Sequence, residues 1–348
     1  MPNREHGEPR RFFIGANAAG GFVAYGSEIT RSMAKIYIIK GGPGTGKSTF
    51  MKRLAADIEE KGHPVDYYYC SSDSRSLDGI VCPGLGIAVV DGTAPHTMEA
   101  NYPGAVEELI DLGAFWDGKR LTVHAEEIRT LCDAKAARYV GVYKYLGVGK
   151  VLRDERNTIL SRISDEEKAD KAMGRLIRRL GNGNGFAVQN RQISAIGMQG
   201  RTVFNTYEQE ATEHWQIADS RGLSGMLFEK LLCHAERAGL SVWLSRDPMQ
   251  EIEAIYFPEK GVSVVCSTSE GADRILNTER FVCRERLAAE RTRLRFLVRL
   301  EKELLHRVEE LFAEIRRRHF ALESLYVETM DFDAVEERRK ALLSNLPL

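Results

Sequence analysis

At 348 residues the chain is too long for one small core, and length alone favours two or three domains. Its composition, 43% hydrophobic and 28% charged, is that of an ordinary soluble globular protein, and a formal net charge of -1 argues against general affinity for nucleic acid or an anionic membrane surface. No apolar run could span a bilayer, MPNREHGEPRR lacks the apolar core of a signal peptide, and the six scattered cysteines form no CxxC pair, so a cytoplasmic protein with reduced thiols is expected.

Along the chain, residues 11–103 alternate short apolar runs with glycine turns, as an α/β domain does. KIYIIK (Lys35 to Lys40) reads as a buried β-branched strand, and STFMKRLAADIEEKG as the helix that ends at Gly62. Between them GGPGTGKST, with Gly41-x-x-x-x-Gly46-Lys47-Ser48, fits the Walker A pattern. Its glycines let successive backbone N–H groups curl around a β-phosphate, and the helix N-terminus adds partial positive charge. Gly41, Gly42, Pro43, Gly44, Thr45, Gly46, Lys47, Ser48 and Thr49 are therefore the expected ATP contacts, with Lys47 on the β- and γ-phosphates and Ser48 on Mg²⁺.

VDYYY then leads into CSSDSRSLDG, which puts Ser71, Ser72, Asp73 and Arg75 at the same sheet edge, either as contacts to substrate or magnesium or as turn caps. In GIAVVDGTAPH an apolar strand ends at Asp91, the expected Walker B acid, where open α/β sheets bind ligands. Lys47 and Asp91 are the expected catalytic residues, Ser48 and Asp91 the expected metal ligands, and ATP with Mg²⁺ the expected cofactors. Gly92 follows, so the water-orienting glutamate of many P-loop ATPases is missing from its usual place, and slow hydrolysis by the chain alone is expected.

Residues 104–181 read as helical, from AVEELIDLGAFW to GRLIRRL, whose Arg175, Arg178 and Arg179 are candidates to close over phosphates. GNGNG, Gly181 to Gly185, reads as a linker. A second α/β zone runs to about residue 270, and residues 271–348 read as a helical extension in which Leu300, Leu304, Val308, Leu311, Ile315 and Leu322 form a buried stripe. RRRH, Arg316 to His319, reads as a solvated face.

The order αβ, helical, αβ, helical signals a duplication. An offset of 177 lays KRLAADIEEKG over EKLLCHAERAG. An offset of 175 matches Ile80, Pro83, Gly86, Val89, Val90 and Thr93 with Ile255, Pro258, Gly261, Val264, Val265 and Thr268. The expected fold is α/β, two duplicated P-loop NTPase domains, each with a parallel-sheet core and a long helical extension. The first spans 11–181 with its helical insertion at 104–181, the second 186–348 with its extension at 271–348.

GGPGTGKST, CSSDSRSLDG, VVDGTAPH and HFALESLYVETMDF resemble a bacterial family of tandem P-loop proteins, ATPases or nucleotide-kinase-like proteins of unestablished role. The resemblance covers nearly the whole chain and implies a P-loop fold in each half, without naming a substrate. The second half departs from it: Lys47 falls on Ser224, Ser48 on Gly225 and Asp91 on Cys266, so lysine, hydroxyl and acid are absent together. A non-catalytic second half follows, with Arg221 and the Gly222 turn as a lesser candidate for a small anion. The leading expectation is a Mg²⁺-dependent ATPase with one active site; a small-molecule or nucleotide kinase is the runner-up. A non-catalytic ATP-binding module that docks a protein partner through the helical extensions comes third.

Overall fold

The computed structural model describes residues 9–95, 97–267 and 271–348. The first half runs β1 (Arg10–Phe13), a hairpin of β2 (Gly15–Ala18) and β3 (Gly21–Ala24), α1 (Gly26–Thr30), β4 (Lys35–Lys40), α2 (Lys47–Glu60), β5 (Asp66–Tyr69), β6 (Leu77–Cys82), β7 (Ile87–Asp91) and β8 (Glu107–Asp111). Helices α3 (Gly118–Val123), α4 (Ala125–Ile163) and α5 (Glu166–Leu180) follow. The series then recurs: β9 (Val188–Asn190), a hairpin of β10 (Ser194–Gly197) and β11 (Gly200–Val203), α6 (Thr206–Glu210), β12 (Glu213–Ala218), α7 (Ser224–Arg237), β13 (Val242–Arg246), β14 (Ile252–Phe257), β15 (Val262–Cys266) and β16 (Arg274–Asn277). Helices α8 (Arg284–Val327) and α9 (Phe332–Ser344) end the chain.

The two six-stranded sheets, ordered β1-β5-β6-β7-β4-β8 and β9-β13-β14-β15-β12-β16, have one topology. Even an irregularity recurs, a register shift between Tyr68 and Tyr69 and another between Ser245 and Arg246. The chain is thus a duplicated α/β architecture; Thr268, one of the six matched residues, lies outside the described residues. The sheets are mixed, which corrects the expected parallel core. β6 and β14 run antiparallel to both neighbours, because the short connections on either side turn the chain straight back, whereas a parallel return needs a crossover.

The sequence also misplaces two strands. EELID, read as helical, is β8, and RILN, inside the helical extension, is β16; each pairs parallel with the strand that carries its half's loop. Glu and Leu favour a helix locally, but backbone pairing at the open edge of a sheet outweighs that preference.

Alternation along β4 faces Tyr37 and Ile39 toward Phe50, Met51, Leu54 and Ile58 of α2, while Ile36 and Ile38 face a core that includes Tyr207, Trp243 and Tyr256 from the second half. The halves also exchange their final helices. Ala169, Met173, Leu176 and Ile177 of α5 pack on Leu227, Phe228 and Leu231 of α7, whereas Val335 and Leu342 of α9 pack on the α2 core. A boundary at residue 181 therefore separates the two sheets but not the two cores. Helices α4 and α8 lie antiparallel across both halves, with Arg138 paired to Glu314 near one end and Arg156 to Glu301 near the other. The sequence's stripe holds in part: Val308, Leu311, Ile315 and Leu322 are buried, whereas Leu300 and Leu304 are half-buried. Among the described residues no helix is long and apolar enough to cross a membrane.

Candidate nucleotide-binding site

β4 delivers the chain into the loop Gly41–Gly46, and α2 starts at Lys47. The Lys47 side chain folds back over the loop, where Nζ donates to the carbonyls of Gly41 (2.7 Å) and Gly42 (2.8 Å). Asp91 ends β7 beside Ile39 of β4, and its Oδ2 lies 3.6 Å from Lys47 Nζ. Its Oδ1 accepts from the Thr93 amide (2.8 Å) and hydroxyl (2.5 Å). Ser48, one residue into α2, accepts the Leu77 amide at 2.9 Å and so ties the helix to the start of β6, beside Asp78.

Burial pushes the Asp91 carboxyl above its usual range; Lys47 pulls it down, and the neighbouring Asp78 pushes it up again. Asp78, Asp91 and the Ser48 hydroxyl, which line one cavity with Lys47, form a hard oxygen donor set that an added Mg²⁺ would suit. Among the described residues no group of three His, Cys, Asp or Glu could hold a metal unaided. Mg²⁺ commonly binds one or two carboxylates and completes its shell with phosphate and water.

All these groups line one cavity of about 900 Å³, as do Gly41, Gly42, Pro43, Gly44, Thr45, Gly46 and Thr49. Helices from far along the chain roof it: Lys135 and Tyr139 of α4, His319, Glu323 and Val327 of α8, and Phe332 of α9. The roof sits directly on the loop. A Cβ at Gly44 would lie 2.7 Å from the Glu323 carbonyl oxygen, in a backbone conformation with φ +75° that other residues avoid.

Of the other candidates, Ser72 and Asp73 line the cavity. Ser71 is buried, and its carbonyl accepts from Asn17. Arg75 turns away, pairing with Asp73 at 3.5 Å and lying over the Phe320 ring. Arg175, Arg178 and Arg179 are corrected as closing arginines, because α5 packs on the second half, where Arg179 pairs with Glu213. RRRH is corrected in part, since His319 enters the cavity. Asp78, Lys135, His319 and Glu323 were not read as site residues; Asp78 is a second acid inside CSSDSRSLDG, His319 and Glu323 lie in HFALESLYVETMDF without a role there, and nothing local marks Lys135.

The second half's loop is already filled. The Asp219 carboxylate accepts the amides of Arg221 (3.0 Å), Gly222 (3.0 Å) and Ser224 (2.6 Å) and the Thr278 hydroxyl (3.0 Å). Burial opposes its charge, but those donors outweigh it and hold Asp219 below the usual carboxylate range. Cys266 pairs with Ile217 as Asp91 pairs with Ile39, and burial pushes its thiol up to about 11, so it stays protonated at neutral pH. Over this loop lie Arg153, Arg156 and Asn157 of α4 with Glu301 of α8. Arg153 bonds Asp247 and Glu301 and lies 3.4 Å from Glu251, while Arg156 reaches Glu301 at 2.9 Å. Arg221, the candidate anion contact, turns to Glu279 at 2.6 Å.

Residues 25–82, from the end of the first hairpin through the glycine loop to β6, match the family model described as Nephrocystin 3, N-terminal. No curated protein and no solved structure matches the chain. Neither result names a tandem P-loop family.

Proposed function

We propose that the N-terminal half binds Mg–ATP in the cavity over Gly41–Thr49 and hydrolyses it, with one nucleotide site per chain. The observation that carries this reading is the Lys47 ammonium, bonded to Gly41 and Gly42 and 3.6 Å from the Asp91 carboxylate, at the start of α2 in an open cavity of about 900 Å³. Lys47 and the loop amides would hold the β- and γ-phosphates. Ser48 and Asp91, with Asp78 beside them, would hold Mg²⁺, which when bound neutralises charge developing on the phosphates.

Calorimetric titration with Mg–ATP is expected to give a stoichiometry near one, and Ser224→Lys is expected not to raise it. A lysine there would still meet the loop amides engaged by Asp219 and the space over them occupied by Arg156. A stoichiometry near two would sink the single-site reading.

A phosphotransferase is the second reading, favoured by cavity volume near the upper end of the usual range for small-ligand sites, about 300–1,000 Å³. Incubation with γ-labelled ATP, Mg²⁺ and cell extract separates the two. Label is expected as free phosphate, whereas label on a small molecule would make the protein a kinase.

A further inference from the structure

No side chain at position 92 could supply the missing water-orienting carboxylate, because a Cβ on Gly92 would lie 2.4 Å from Ile38 Cγ2. The group must come from elsewhere, and the pseudo-symmetry of the helices shows where. Two isolated bridges tie the ends of α4 and α8 to the opposite half, Trp116 to Met330 and Val282 to Ser164. They relate α4 to α8 at one offset, since 282 − 116 and 330 − 164 both give 166. At that offset Lys135 corresponds to Glu301, Arg153 to His319 and Asn157 to Glu323.

In the second half these three positions close on one another and on the loop's neighbours: Arg153 bonds Glu301, and Asn157 bonds Glu251. In the first half the same three positions, Lys135, His319 and Glu323, line the cavity over Lys47. One architecture thus presents three side chains to each loop: near Asp219 they are engaged by one another and by Glu251, and over Lys47 they line the open cavity, with His319 beside Glu323.

We propose that α8 and α4 complete the hydrolytic site, Glu323 orienting and deprotonating the attacking water and Lys135 meeting the charge on the transferred phosphoryl group. This rests on the ATPase reading of the N-terminal site. The water oxygen bonds the γ-phosphorus, and the bond from that phosphorus to the bridging oxygen breaks, with its electron pair leaving on ADP. The water's proton passes to Glu323 and from it to the phosphate product.

Glu323 is suited to this role. His319 Nε2 lies 3.4 Å from its Oε1, and that contact, with partial burial opposing and the fields of Lys47 and Lys135 assisting, holds the carboxyl below its usual range. It is ionised at neutral pH and can accept a water's hydrogen bond. Lys135 is drawn below the usual lysine range, first by burial and also by the like charge of Lys47, and a γ-phosphate would relieve both.

The test uses the full chain, with the isosteric Glu323→Gln and with Lys135→Met, which keeps the apolar stem and removes the ammonium; thermal melts establish folding. Glu323→Gln is expected to bind ATP within about threefold of the native protein and to lower single-turnover hydrolysis about 10²–10⁴-fold, the usual contribution of a positioned base. Lys135→Met is expected to weaken ATP about tenfold while leaving ADP unchanged, a binding readout that reports contact with the γ-phosphate.

Glu323→Gln hydrolysing within threefold of native, Lys135→Met weakening ATP and ADP equally, or a native chain that binds ATP without hydrolysing it would each overturn the proposal and leave nucleotide binding standing. Unchanged ATP affinity in Lys47→Ala would instead remove the nucleotide reading, and this proposal with it.

Discussion

Lys47→Ala is expected to weaken Mg–ATP binding by about 10²-fold or more while the protein stays folded. Hydrogen bonds to charged groups contribute about 1.5–3 kcal/mol each, and Lys47 would make at least two to the phosphates in place of those it makes to Gly41 and Gly42. The variant should fold because its buried partner can neutralise itself. Burial and Asp78 already push the Asp91 carboxyl up, and removing Lys47 removes the main charge pulling it down. A carboxyl whose folded pKa lies above its unfolded value favours the fold at low pH, an effect lost as pH rises through the folded pKa. Since the shift is larger in the variant, its melting-temperature deficit should grow as pH rises from the ordinary carboxylate range toward neutral in metal-free buffer. Calorimetry showing native ATP affinity in folded Lys47→Ala would end the assignment of this site.

Arg153→Ala is expected to destabilise the protein by about 3–5 kcal/mol, the usual cost of stranding a buried ion-pair partner. Arg153 is buried and holds Asp247, Glu251 and the buried Glu301, so its loss leaves largely buried carboxylates facing one another. Arg153→Met combined with Glu301→Leu should recover part of the loss, because the double change also removes the desolvation cost of the pair. Chemical denaturation reads both effects as shifts of the midpoint at constant slope. A cost below about 1 kcal/mol for Arg153→Ala would show that the network is solvated and that the second loop is not sealed by it.

Both predictions bear on how far the chain could be read without its fold. The run GGPGTGKST and the apolar strand ending at Asp91 needed only local reasoning, since a glycine loop between strand and helix carries its chemistry in consecutive residues. The structure accordingly gathers Lys47, Ser48 and Asp91 into one cavity. The duplication was legible too, because matched prolines and glycines mark equivalent turns, and the strand order repeats between halves. The strands β8 and β16 were not, since an edge strand of helix-forming residues exists only because a neighbour offers it a ladder.

By itself, then, the sequence determined the glycine loop, its acid, the repeat and the loss of lysine, hydroxyl and acid from the second half; each is a property of residue identity at short spacing. Only the tertiary structure decided the mixed sheets, the exchange of α5 and α9, and the filling of the second loop by Asp219. It alone brought Lys135 and Glu323, 188 positions apart, over the same lysine. The physical reason is that two helices of roughly 60 Å at 1.5 Å per residue carry side chains to places no local pattern specifies, with packing along their whole length choosing which ones arrive.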